Sequence, residues 1–140
     1  MYSRGMRLGA GLACALWSQS LVADSLNASD RLLCSASEAF ICAPGSPCEN
    51  ALPSSLQIPQ FLIVDLGRKT LATTEASGHN RATPILSLAR EDGHIFLQGV
   101  QMGRAFSMVL REDSGQASIA IATDGLALGV FGACTPSPTR

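Results

Sequence analysis

The sequence predicts an all-β fold, a small antiparallel meander of about seven or eight strands that closes into a barrel. Three observations lead there. From Gln60 onward, short apolar runs recur roughly every ten residues, a spacing that suits strands and tight turns better than helices. Within the runs, apolar side chains alternate with polar ones instead of recurring with helical period. Between them stand glycine, aspartate and proline, the residues that reverse a chain. A sheet with one apolar face must bury it, and curling into a barrel also removes its exposed edges. A two-sheet sandwich is the alternative.

The elements follow in order. Ser25 to Leu33 reads as a short helical turn or an irregular lead-in, and Arg31 to Cys42 as the first strand or two. Asn50 to Pro59, with Pro53 and Pro59, reads as an irregular loop. In Phe61 to Leu66, the residues Leu62, Val64 and Leu66 share a face, and Gly67-Arg68 forms a turn into Lys69 to Thr74. Thr83 to Ala89 and Ile95 to Val100 are joined by Arg90-Glu-Asp-Gly93. Ala105 to Leu110 and Ala117 to Ala122 are joined by Arg111-Glu-Asp-Ser-Gly115. Both joints read as hairpin loops. Phe106, Met108 and Leu110 share one face, as do Ile119 and Ile121. Asp124-Gly125 then reverses the chain into Leu126 to Phe131.

The N-terminus has the layout of a secretory signal peptide over residues 1–23. Arg4 and Arg7 precede an uncharged apolar run from Leu8 to Trp17, and Ala23 closes a small-residue cleavage site. The run is too short for a membrane span of about 20 residues. A lipid anchor would use Cys14, but Gly11 stands where leucine is wanted. Cleavage leaves a single domain, 24–140. Losing Arg4 and Arg7 leaves eight of the ten basic side chains against eleven acidic ones, a net charge of −3. Such a balance gives no electrostatic reason to bind nucleic acid or an anionic membrane surface. Trp17 and Tyr2 leave too, so five Phe are the only aromatics left to form stacking platforms.

Four cysteines remain, Cys34, Cys42, Cys48 and Cys134. In an oxidising compartment an even set is most simply paired. Of three possible pairings, Cys42 with Cys48 is favoured across Ala43-Pro-Gly-Ser-Pro47, which can fold back on itself. That leaves Cys34 to join Cys134, which a barrel allows because its first and last strands are neighbours. The rival is a zinc site with His79 and His94. The gaps between Cys34, Cys42 and Cys48 exceed the two to four residues usual between zinc ligands.

The cysteine spacing, the hydrophobic hairpins and the terminal Phe131-Gly-Ala-Cys134 together resemble a group of small exported proteins of proteobacteria over roughly Leu32 to Thr135. The resemblance implies pairing of the closing Cys134 with the N-terminal cysteine cluster and brings no activity with it. Lipocalin-like barrels and periplasmic lysozyme or protease inhibitors are similar in architecture only. One lysozyme-inhibitor family carries Ser-Gly-x-x-Tyr, whereas Ser77-Gly-His-Asn-Arg81 has no tyrosine.

Chemistry-bearing residues are sparse. His79 and His94 are the candidate general bases, each in a polar loop or turn. No Gly-x-Ser-x-Gly elbow and no Cys-x-x-Cys pair is present. Asp65 shares a face with Phe61 and Ile63, turned to solvent, and Glu91-Asp92 and Glu112-Asp113 lack the regular oxygen ligands of a calcium loop. Asn27-Ala-Ser29 matches a glycosylation sequon, relevant only in a eukaryotic secretory pathway. The expectation is a non-catalytic periplasmic or extracellular module without a cofactor, binding a small apolar ligand or an envelope protein. Two alternatives stand beside it. One is an inhibitor of a secreted hydrolase acting through the cysteine-braced 42–48 loop, and the other an enzyme using His79 or His94.

Overall fold

A computed structural model describes residues 25–26 and 29–137. The signal peptide, its cleavage site, Cys14 and Asn27 of the sequon lie outside the described residues. The fold is all-β, with strands β1 (Arg31–Cys42), β2 (Glu49–Ala51), β3 (Phe61–Asp65), β4 (Thr70–Thr73), β5 (Ala82–Pro84), β6 (Ser87–Glu91), β7 (His94–Gln101), β8 (Arg104–Arg111), β9 (Gln116–Thr123) and β10 (Leu126–Pro136). They form one curled, barrel-like antiparallel sheet rather than two packed sheets, in the order β5-β4-β3-β1-β10-β9-β8-β7-β6, with the short β2 also paired to β1.

Burial follows the alternation read from the sequence. In β7 the buried residues are Ile95, Leu97 and Gly99, with Phe96, Gln98 and Val100 exposed between them. Leu32, Cys34, Val64, Leu66, Ile95, Leu97, Met108, Leu110, Ala117 and Cys134 meet in the main core on the concave face. β1 is a single strand whose pairing with β10 shifts register between Ala36 and Glu38. A bulge of this kind changes which parity faces inward. Leu32 and Cys34 are accordingly buried before it and Ala39 after it.

The turns explain why the hairpins stay in register. β6 and β7 are joined by Asp92 (φ 47°) and Gly93 (φ 73°), and β7 and β8 by Met102 (φ 50°) and Gly103 (φ 76°). Two consecutive positive φ values define the type I′ turn, whose twist matches that of paired strands. Asp124-Gly125 links Thr123 to Leu126 as expected, with Gly125 at φ 71°. Asn50 to Pro59 departs from a purely irregular loop. Asn50 and Ala51 pair with Phe40 and Ala39, and Pro53–Leu56 is a 3-10 turn.

Cys34 faces Cys134 across the β1–β10 pair, their Cα atoms 4.0 Å apart, and the two are bonded. Cys42 is bonded to Cys48, as the short proline-rich loop suggested. The lead-in residue Leu26 is fully buried in the main core, and its amide donates to the Glu112 carbonyl oxygen at 2.8 Å. It therefore plugs the end of the sheet where β8 finishes. Leu26→Ala removes a side chain with no exposed surface and is expected to cost about 2 to 4 kcal/mol in urea unfolding. A loss below about 0.5 kcal/mol would mean that the lead-in is not part of the core.

The chain between the two terminal strands of the sheet is very short. Only Ile85 and Leu86 separate β5 from β6. The Ile85 amide donates to the Lys69 carbonyl oxygen and the Leu86 amide to that of Gln98, both at 2.8 Å. Adjacent amides thus bond toward opposite ends of the strand order.

Candidate functional site

Concavity and alternation together leave a cavity of about 180 Å³ at the end of the sheet opposite Leu26. Its apolar wall comes from inward positions of four strands, Leu62 of β3, Leu71 of β4, Phe106 and Met108 of β8, and Ile119 and Ile121 of β9. Ile58 and Pro59 contribute from the loop before β3. Met102, at the tip of the β7–β8 turn, is 78% exposed and also lines the cavity, which marks its opening to solvent. Phe106 pairs with Gly99. A Cβ at Gly99 would meet the Phe106 ring and come within 2.9 Å of the Pro84 carbonyl oxygen, so the glycine makes room for the ring across β7.

The polar groups of the cavity are Gln57, Thr73, Arg81, Thr83, Gln101 and Arg104. Both arginines occupy inward positions by simple period-2 counting. Arg104 shares a face with Phe106, Met108 and Leu110, and Arg81 with Thr83 and the buried Ile85. The backbone of Arg81 is held against β4, its amide donating to Thr73 Oγ1 at 3.1 Å and its carbonyl accepting from the Thr73 amide at 3.0 Å. Arg104 Nη1 donates to the Leu56 carbonyl oxygen at 3.0 Å. Arg81 Nε is shielded from solvent and has no hydrogen-bond partner. A buried donor left unmade costs about 1 to 3 kcal/mol. Among the described residues Thr83 is the one buried polar side chain, 4% exposed, and it lines the same cavity.

Among the described residues no acidic side chain lines the cavity. The ion pairs among the described residues lie elsewhere, at Arg68–Asp65, Arg90–Glu112 and Arg111–Asp113. The cavity is therefore cationic within a chain of acidic balance.

The candidate residues read from the sequence fall outside it. His94 begins β7, the far end of which, Gln101, reaches the cavity. Its Nδ1 lies 2.8 Å from the Asp92 carbonyl oxygen and its ring 6.0 Å from that of Phe96. His79 is exposed in the loop between β4 and β5, where its amide donates to Ser77 Oγ and its carbonyl accepts from Thr73 Oγ1. The structure does not bring the two histidines together. Glu112 and Asp113 engage Arg90 and Arg111 at 2.9 and 2.8 Å. At Asp113, the upward push of desolvation is outweighed by the hydrogen bond from Ser114 and the charge of Arg111, which hold its carboxyl below the ordinary value. Among the described residues no three His, Cys, Asp or Glu side chains gather as a metal site. The four cysteines are consumed in the two disulfides. Asp65 accepts from the Arg68 amide at 2.8 Å and so braces the β3–β4 turn.

Arg81 and Arg104 were not singled out from the sequence. The signal was present, since counting by twos from Phe106 and from Ile85 lands on both.

Comparison with protein-family models, curated proteins and solved structures returns no match.

Proposed function

We propose that the chain is an exported, non-catalytic binding protein whose sheet closes into a lipocalin-like barrel of eight strands and holds a small apolar molecule. The observation that carries this reading is the cavity of about 180 Å³, walled by inward apolar side chains and open beside Met102. It exceeds the roughly 150 Å³ that suffices for a benzene-sized guest and falls below the roughly 300 Å³ of drug-sized pockets, so the ligand is small. Closure is supported by the Ile85–Leu86 junction, where β5 and β6 act as one bent strand bonding to β4 on one side and β7 on the other. Export, in the manner of the small proteobacterial proteins it resembles, is supported by the two disulfides, since such bonds persist in oxidising compartments.

The test is an amide-resolved NMR titration of the oxidised protein with octan-1-ol, an uncharged probe. The expected result is saturable shifts confined to Leu62, Leu71, Phe106, Ile119 and their neighbours. Unchanged spectra at millimolar probe would end the ligand-binding reading.

A second reading, inhibition of a secreted hydrolase, has one observation in its favour. Residues 43–48 are exposed and the Cys42–Cys48 bond braces this loop, which lowers the ordering cost of binding. A panel of lysozymes and secreted proteases keeping full rates in excess protein would count against it. An enzyme built on His79 or His94 has less support, because neither histidine lines the cavity.

A further inference from the structure

Resting on the ligand-binding reading above, we infer that the ligand is a short-chain amphipathic monocarboxylate, its tail among the inner-face side chains and its carboxylate between Arg81 and Arg104. Two observations converge on an anionic head group. Two arginines line one small cavity to which the described residues contribute no carboxylate. Arg104 is met in part by the Leu56 carbonyl oxygen, and the remaining guanidinium donors call for solvent or an anionic ligand. Arg81 Nε is shielded from solvent and makes no hydrogen bond among the described residues, although the backbone of Arg81 is pinned by Thr73. A shielded guanidinium donor with no partner among the described residues fits a site completed by an acceptor that arrives with the ligand.

The geometry also orients the guest. Arg104 is the first residue of β8, next to the exposed Met102-Gly103 turn, whereas Met108 and Ile119 lie deeper and belong to or pack against the main core. The charged head therefore sits toward the opening and the tail points inward. Guanidinium and carboxylate are matched planar partners that can form two parallel hydrogen bonds, which an alcohol cannot reproduce and an ammonium opposes. Gln57, Gln101, Thr73 and Thr83 add neutral groups around the head without changing the sign of the site.

The experiment is calorimetric or NMR titration of oxidised, delipidated protein with octanoate, octan-1-ol and octylammonium at matched ionic strength. Octanoate is expected to bind at least about tenfold more tightly than octan-1-ol, with octylammonium weakest. Arg81→Gln is expected to reduce octanoate affinity about tenfold or more and leave octan-1-ol within about twofold, since only the charge-assisted bond is lost. Arg81→Lys, which keeps the charge but loses the fork, should fall between them. Because Arg104 also holds the Leu56 carbonyl, Arg104→Gln is read beside its unfolding midpoint and Arg81→Gln carries the decision. Binding of octanoate should fade as pH drops through the carboxyl range of the ligand. If octan-1-ol binds as well as octanoate, or Arg81→Gln leaves octanoate affinity unchanged, the acidic-ligand inference is wrong while the apolar cavity stands. If none of the three probes binds, both readings fail together.

Discussion

Replacing Cys34 and Cys134 together by alanine is expected to lower the stability of the protein by about 4 to 5 kcal/mol, the largest effect of any change considered. The bond spans a sequence separation of 100 residues. In the chain-entropy view, closing a loop that long removes about 4.7 kcal/mol worth of freedom from the unfolded state. The Cys42–Cys48 bond closes only six residues, and the same relation gives it about 2 kcal/mol. The two double-alanine variants, compared by urea unfolding, should therefore differ by roughly 2 to 3 kcal/mol. Against a total stability of about 5 to 15 kcal/mol, the first leaves the domain marginal and the second leaves it folded. Equal losses, or a larger loss from the short loop, would show that the long bond does not act by restraining the unfolded chain.

Gly115→Ala is the second large effect, expected at about 3 kcal/mol or more. Gly115 lies at φ 70° in the β8–β9 loop. Its amide donates to the Arg111 carbonyl oxygen at 2.9 Å and its own carbonyl accepts from the Cys134 amide at 2.7 Å. A Cβ placed there would run into the Cys134 carbonyl oxygen, which belongs to the backbone and cannot swing aside. An alanine thus faces both the left-handed penalty of about 1 to 2 kcal/mol and overpacking of about 1 to 3 kcal/mol. Gly125 supplies the control, with φ 71° and open space around the missing Cβ. Gly125→Ala should cost only about 1 to 2 kcal/mol. The same midpoint shift for both variants would remove the close approach to Cys134 from the account.

Much of the architecture was legible because it depends on local period and turn chemistry. Phe106, Met108 and Leu110 line one face of β8 and are all at least half-buried, and the Asp92-Gly93 and Asp124-Gly125 reversals sit at hairpin tips. Both disulfides match the pairing favoured from the loop and from the neighbouring ends of a meander. What stayed hidden depends on partners far along the chain. Met102-Gly103 makes a tight turn without the usual asparagine or aspartate, and Met102 reads as apolar although it ends in solvent. Leu26 is one apolar residue in a polar lead-in, and only its seat against β8 makes it core. A barrel binding a small apolar ligand was legible in the strand rhythm, whereas the arginines of its cavity carry no motif. An arginine at an inward position looks ordinary until the curvature of the sheet gathers a cavity lining that holds no carboxylate among the described residues.

Pairing β1 with β10 also dictates when the protein can become itself. A ribosome makes Cys34 of β1 100 residues before Cys134 of β10, yet each strand is the other's longest partner. Until β10 emerges, the edge of β1 that will pair with it presents an unmatched row of amides and carbonyls to whatever strand it meets, the situation that invites aggregation in nascent chains. Topologies dominated by such distant contacts assemble slowly. Nascent β1 would therefore benefit from a chaperone that shields this edge until β10 is made.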